Sequence, residues 1–315
     1  MKHVRNLITF PALLLLAAGI AVAQNNSQPT QNATPAAQGQ QQQPAAGQQP
    51  ASGQAPAGQA AAPAGKRQPQ AKSKEEYNAY VALMGMTDPA GMEKASDDFV
   101  TKYPDSELKG AVYQRAMAAY QQTGNEDKTL EMGRKSLSFN PDDPGVLVSI
   151  AELIASRTRE TDLDKDQRLA EATKDAKHAL ETVTDYPAPP TMPADQVEKI
   201  KNDMRGTAYS VLGMVAYTNK NYPDAVANFK QSVDVTQADP DPTVYLRYTL
   251  ALDKAARYPE ALDAANKTLA LPEAAPQVKQ LATQEKNRLE KLANTPKPAS
   301  GPAPSAPQPQ AVQPH

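Results

Sequence analysis

The sequence predicts an all-α chain: a right-handed α-solenoid of about five antiparallel helix pairs, flanked by disordered tails. Three observations predict it. Apolar residues recur in a frame that starts at Glu76, Gly110 and Pro144, 34 residues apart each time, and returns at Gly206 and Pro242, 36 apart. Within each frame the apolar positions are spaced by about 3, 4 and 7, which places them on one helical face. At both ends the composition falls to Pro, Gln, Ala and Gly, which buries too little surface to offset chain entropy. A fixed period of this length marks stacked repeats, in which each helix pair must lean on its neighbours.

The chain opens with a basic pair, Lys2 and Arg5, then the apolar run Leu7 to Ile20, then Ala21-Val22-Ala23. This predicts a signal peptide over 1–23, cleaved after Ala23, and a periplasmic or secreted location. The apolar run is shorter than the roughly 20 residues a spanning helix needs, and Pro11 interrupts it, so the mature chain is not expected to cross a membrane. Cysteine is absent throughout, which excludes disulfides, a lipid-attachment cysteine, thiolate nucleophiles and zinc–thiolate sites.

Residues 24–72 predict a disordered Gln/Pro/Ala-rich linker, reaching roughly 35–42 Å as a flexible coil. Residues 295–315 predict a Pro/Ala-rich tail of the same kind, leaving 73–294 to fold. Of the 33 Lys and Arg, 27 lie in that segment together with all 35 Asp and Glu, a net charge of −8. That balance argues against a nucleic-acid partner, which would need a basic face.

The repeats are expected near 76–109, 110–143, 144–184, 206–241 and 242–275, with a capping helix over 276–292. In the first, Leu83, Ala95, Phe99 and Tyr103 hold the apolar positions. In the second, Tyr113, Ala116, Met117 and Tyr120 precede a turn at Gly124-Asn125, and Leu130, Gly133, Ser136 and Leu137 follow it. The third begins with Leu147, Ile150, Ala151 and Ile154, then carries an insertion near 157–166 before its second helix at about 167–184. A stiff loop at 186–190 leads to a long helix started by Pro193. The fourth unit offers Tyr209, Leu212, Gly213 and Ala216, then Tyr222, Ala225, Phe229 and Val233. The fifth offers Tyr245, Tyr248 and Leu252, then Tyr258, Ala261, Ala265 and Leu269. On the capping helix Val278, Leu281, Leu289 and Leu292 are expected to face inward.

These residues resemble the tetratricopeptide repeat family, most clearly over 206–239, where Leu212-Gly213, Tyr222 and Ala225 stand at the family's positions. The resemblance covers most of 76–275, with Tyr113, Tyr209 and Tyr245 in the family's tryptophan position. Phe99 with the segment 102–106 resembles the inter-repeat turn of exported assembly lipoproteins and cell-division coordinators of this superfamily. The family implies a concave wall built from positions 2, 5, 9 and 12 of the first helix in each unit. Here these are Ala111, Gln114, Ala118 and Gln121, then Val148 and Glu152. The later units supply Thr207, Ser210, Met214 and Tyr217, then Thr243, Leu246, Leu250 and Asp253. The Lys and Asn with which chaperone-binding members hold a peptide carboxylate are missing from this wall. The candidate peptide-binding groove is therefore Gln114, Gln121, Val148, Ser210, Met214, Tyr217, Leu246, Leu250 and Asp253, suited to an amphipathic helix or extended peptide.

Catalytic chemistry finds little footing. Asp162, Asp164 and Asp166 have the opening spacing of a calcium loop, but Gln167 and Thr173 stand where glycine and glutamate are required. His178 is the only histidine within 73–294 and reads as solvent-facing, and the adjacent pairs Asp97-Asp98 and Asp142-Asp143 point apart. No cofactor, metal or small-molecule substrate is expected. The expected function is a non-catalytic scaffold or adaptor of the bacterial cell envelope with a protein or peptide partner. The alternative is a structural cell-wall or secretion-assembly component acting through its Pro/Gln-rich tail.

Overall fold

The computed structural model describes residues 67–294. The expected signal peptide, linker residues 24–66 and the tail 295–315 lie outside the described residues. Among the described residues there is no strand. Eleven helices run α1 (Lys74–Met84), α2 (Pro89–Lys102), α3 (Lys109–Thr123), α4 (Glu126–Phe139), α5 (Pro144–Arg157) and α6 (Lys165–Thr182). After a 3-10 turn at Val183–Asp185 come α7 (Ala194–Thr218), α8 (Tyr222–Val235), α9 (Pro242–Lys254), α10 (Tyr258–Ala270) and α11 (Pro276–Asn294).

Local chemistry starts most of these helices. Asp88, Asp143 and Asp241 each precede a proline and accept from a backbone N–H one turn in, at Gly91, Val146 and Thr243. Proline at the first helical position gives up an N–H that would be orphaned anyway, and the aspartate satisfies a neighbour. Ser73, Asn125 and Asn221 cap α1, α4 and α8 in the same way. The turns inside three helix pairs need left-handed backbone, and it falls at Gly124 (φ 72°), Lys220 (φ 59°) and Ala256 (φ 57°). Each is the fourteenth residue beyond Gly110, Gly206 and Pro242, so one backbone device recurs at one place in the repeat.

The helices pack in chain order as hairpins, α3 with α4, α5 with α6, α7 with α8 and α9 with α10, and each pair leans on the next. All substantial contacts join helices one or two places apart in the chain, as a quasi-one-dimensional stack requires. Repeated contacts mark the register. Ser136 Oγ donates to the Gly110 carbonyl at 2.9 Å, and Ser232 Oγ does the same to Gly206 at 2.7 Å, both buried. At Gly213 an added Cβ would lie 2.7 Å from the ring of Phe229, itself fully buried, so the absence of a side chain sets how closely α7 meets α8. Tyr113 is buried, and its hydroxyl reaches back one pair to donate to Asp97 at 2.7 Å.

Three expectations are corrected here. Residues 67–72, expected within the disordered linker, are held: Arg67 makes a bidentate pair with Glu107 at 2.6 and 2.8 Å. The Gln70 N–H adds a third bond to the same carboxylate, and Gln68 Nε2 donates to the Pro187 carbonyl at 3.2 Å. The Arg67 guanidinium first, then the Gln70 N–H, pull the Glu107 carboxyl down to about 2. Composition does not reveal such long-range partners. On α11, Leu289 is buried as expected, but Leu281 and Leu292 are exposed (52% and 41%) and Ala282 takes the inward place beside Leu281. His178 is half-exposed rather than free in solvent, with Nε2 2.9 Å from Asp142 and Nδ1 3.4 Å from Glu181.

Candidate functional site

The first helices of successive pairs run side by side, α5 against α7 and α7 against α9. Their closeness decides which wall positions remain available. Val148, Ser210 and Leu246 are buried at 0%, 2% and 6% exposure, so these three predicted groove residues belong to the packing. The reason lies in α5, whose buried residues include Val146, Leu147, Val148, Ile150, Ala151 and Leu153, covering it nearly all round. Ser210 lies on α7, the helix between α5 and α9, and accepts there from Arg247.

Gln114, Gln121, Met214, Tyr217, Leu250 and Asp253 remain half-buried. Met214 and Tyr217 also pack against the core cluster of Phe229, Val233, Leu252 and Leu289. Tyr217 meets Tyr222 edge-on, with centroids 5.6 Å apart and planes at 66°. Asp253 is taken up by Arg288 of α11, which Glu285 also holds at 2.7 Å. Its carboxylate is therefore engaged within the fold. Of the candidate groove residues, Gln114, Gln121, Met214, Tyr217 and Leu250 are half-buried and show no such ion pair.

Two charged residues join that wall without being among the predicted groove residues. Glu152 stands on α5 at a wall position, enclosed by protein on nearly every side yet still reached by solvent. Burial pushes its carboxyl up, Arg247 pulls partly against that, and Asp241 adds to the rise. Glu152 makes no hydrogen bond or ion pair among the described residues. Arg247 on α9 donates to Ser210 Oγ at 3.4 Å, across the join with α7. Arg247 sits one residue beyond a wall position, where helical periodicity alone would turn it aside. Arg115 occupies the same place in its unit and donates to the Met86 carbonyl at 2.9 Å.

The acidic candidates for other chemistry do not converge. Asp162 accepts from the Arg159 N–H at 2.8 Å and lies near Arg168, and Asp166 pairs with Lys165. Among the described residues no group of three or more His, Cys, Asp or Glu could hold a metal ion. Asp143 caps α5 while Asp142 faces His178. Asp97 binds Tyr113 and Lys135, whereas Asp98 pairs with Lys94. Among the described residues no helix is long and apolar enough to cross a membrane.

No family model matches the sequence, and no curated protein matches it. Solved helical structures do. The assembly chaperone of RpL4, Acl4 (residues 1–338), is 12% identical with a TM-score of 0.35, over 69% of this chain and 98% of that one. PilW, a widely conserved type IV pilus biogenesis factor, is 16% identical with a TM-score of 0.35, over 66% of this chain and 99% of that one. Likeness at that level assigns this chain no partner, and its wall is read from its own residues.

Proposed function

We propose that this chain is a non-catalytic protein-interaction scaffold or adaptor of the bacterial cell envelope. It holds a peptide or short helix of a partner on the wall formed by α3, α5, α7 and α9. The observation that carries this reading is the wall itself. Met214, Tyr217 and Leu250 offer half-buried apolar surface on α7 and α9, the half-buried amides of Gln114 and Gln121 stand on α3, and Glu152 of α5 makes no hydrogen bond among the described residues. That mixture suits a peptide, whose side chains need apolar contact and whose backbone needs polar partners. The net charge of −8 across 73–294 favours a protein partner over a nucleic acid. Export to the envelope rests on the basic, apolar and small-residue pattern of residues 1–23.

The test is photo-crosslinking in the native envelope from Gln114, Met214 or Leu250, with Glu131 on α4 as a control away from the wall. Protein adducts specific to the three wall positions are expected. Equal adducts from Glu131, or none from the wall, would refute the reading. Removing residues 24–66 while keeping export separates the alternative, in which the Pro/Gln-rich segment does the work. Capture lost on that deletion, with the wall intact, favours the segment.

A further inference from the structure

We propose that the stretch of wall where Glu152 of α5 stands near Arg247 of α9 takes a lysine or arginine side chain of the partner onto the Glu152 carboxylate. This rests on the wall being the binding surface and names the chemistry it selects. The first observation is that, among the described residues, Glu152 receives no hydrogen bond and no ion pair, although Arg247 lies near enough to act on its charge. Glu76 accepts from Ser106 and from the Lys72 N–H, Glu93 from Tyr120 and Lys128, and Asp143 from Val146 and Asn140. Glu152 is enclosed as they are but receives no donor. A recessed carboxylate left unbonded is costly, and a cation brought by a ligand would supply the missing partner.

The second observation is the arrangement around it. Arg247 acts on the charge of Glu152, but its guanidinium donates to Ser210 Oγ rather than to that carboxylate. Asp241, capping α9 through the Thr243 N–H at 2.7 Å, adds negative potential at Glu152. Ser210 on the intervening helix is buried, and above it a carboxylate on α5 stands within electrostatic reach of a guanidinium on α9. Nearby wall residues Met214 and Leu250 are apolar, which suits the aliphatic stem of a lysine or arginine whose head reaches further in. Arg247 then faces the partner's backbone carbonyls.

The test uses fluorescein-labelled twelve-residue Ala/Leu/Ser peptides with one central Lys, Arg, Gln or Glu, titrated with residues 24–315 and read by fluorescence anisotropy. The Lys and Arg peptides are expected to bind at least tenfold more tightly than the Gln peptide, and the Glu peptide more weakly still. Glu152→Gln should bring the Lys and Gln peptides to within about twofold of each other, with circular dichroism confirming an unchanged fold. Arg247→Gln removes a competing cation and should leave or raise affinity for the Lys peptide. Equal binding of all four peptides, or a Lys preference that survives Glu152→Gln, would overturn the inference while leaving the wall as the binding surface. A tenfold loss of Lys-peptide binding in Arg247→Gln would also overturn it, by moving recognition to the guanidinium. No binding of any peptide would count against both the inference and the wall.

Discussion

The left-handed turn shared by three helix pairs allows a paired experiment in which one chemical change is run in both directions. Ala256 has φ 57° and Gly124 has φ 72° at the same place in their units. An alanine in the left-handed region carries about 1–2 kcal/mol of steric cost between Cβ and the backbone. Glycine removes that cost but frees the unfolded chain, returning about 0.4–1 kcal/mol. The difference makes Ala256→Gly stabilising by about 0.5–1 kcal/mol. Gly124→Ala should destabilise by a similar amount, because no atom lies within 4 Å of the position a Cβ would take there, so packing does not intervene. The assay is urea unfolding followed by circular dichroism, paired with amide exchange in α3–α4 and α9–α10. Exchange is needed because stacked repeats can open locally without a single global transition. Shifts of the same sign in both variants, or a destabilised Ala256→Gly, would refute the backbone argument.

Three further outcomes follow from the packing. Gly213→Ala gains about 0.5–1 kcal/mol of helix propensity but forces a methyl against Phe229, costing about 1–3 kcal/mol, so thermal melting should fall by a few degrees. Asp143→Ala removes the bond to the Val146 N–H and should lower stability by about 1 kcal/mol, visible as a lower urea midpoint. Glu152 has its carboxyl raised by burial, so the folded state binds a proton more readily than the unfolded state. Its contribution therefore falls as pH rises above the ordinary glutamate value of about 4.3. Glu152→Gln should be more stable than the native protein at pH 7 and indistinguishable from it below about pH 4, by urea titration at both values.

The helical pairing was legible because it follows from local signals. Asp143-Pro144 and Asp241-Pro242 announce helix starts, and the spacing of Tyr113, Met117 and Tyr120 announces a buried face. The site was less so. Wall positions assigned by resemblance assume that each first helix leaves the same side open, yet α5 is covered nearly all round and takes Val148 with it. Asp253 reads as an exposed acid until Arg288, 35 residues later, arrives beside it. Arg67 and Glu107 likewise meet across a separation that no periodicity spans. What failed in the last two cases was long-range pairing between charged side chains, which depends on how neighbouring pairs are placed rather than on any single helix.

The long α7 has a mechanical consequence. At 25 residues it spans roughly 38 Å and contacts α5, α6, α8 and α9. Its first half is anchored by the buried Lys201, whose ammonium donates to the Thr184 carbonyl at 2.8 Å, while its second half meets Phe229 through Gly213. One rigid rod is thus clamped into the pairs before and after it, and works as a splint. Of the joins between pairs, α4 with α5, which it does not reach, is more thinly packed than the joins it makes with α6 and with α5, so that is where the array would bend first. Glu152 and Arg247 lie on the two helices that flank this rod, α5 and α9, so the rod sets the spacing between them.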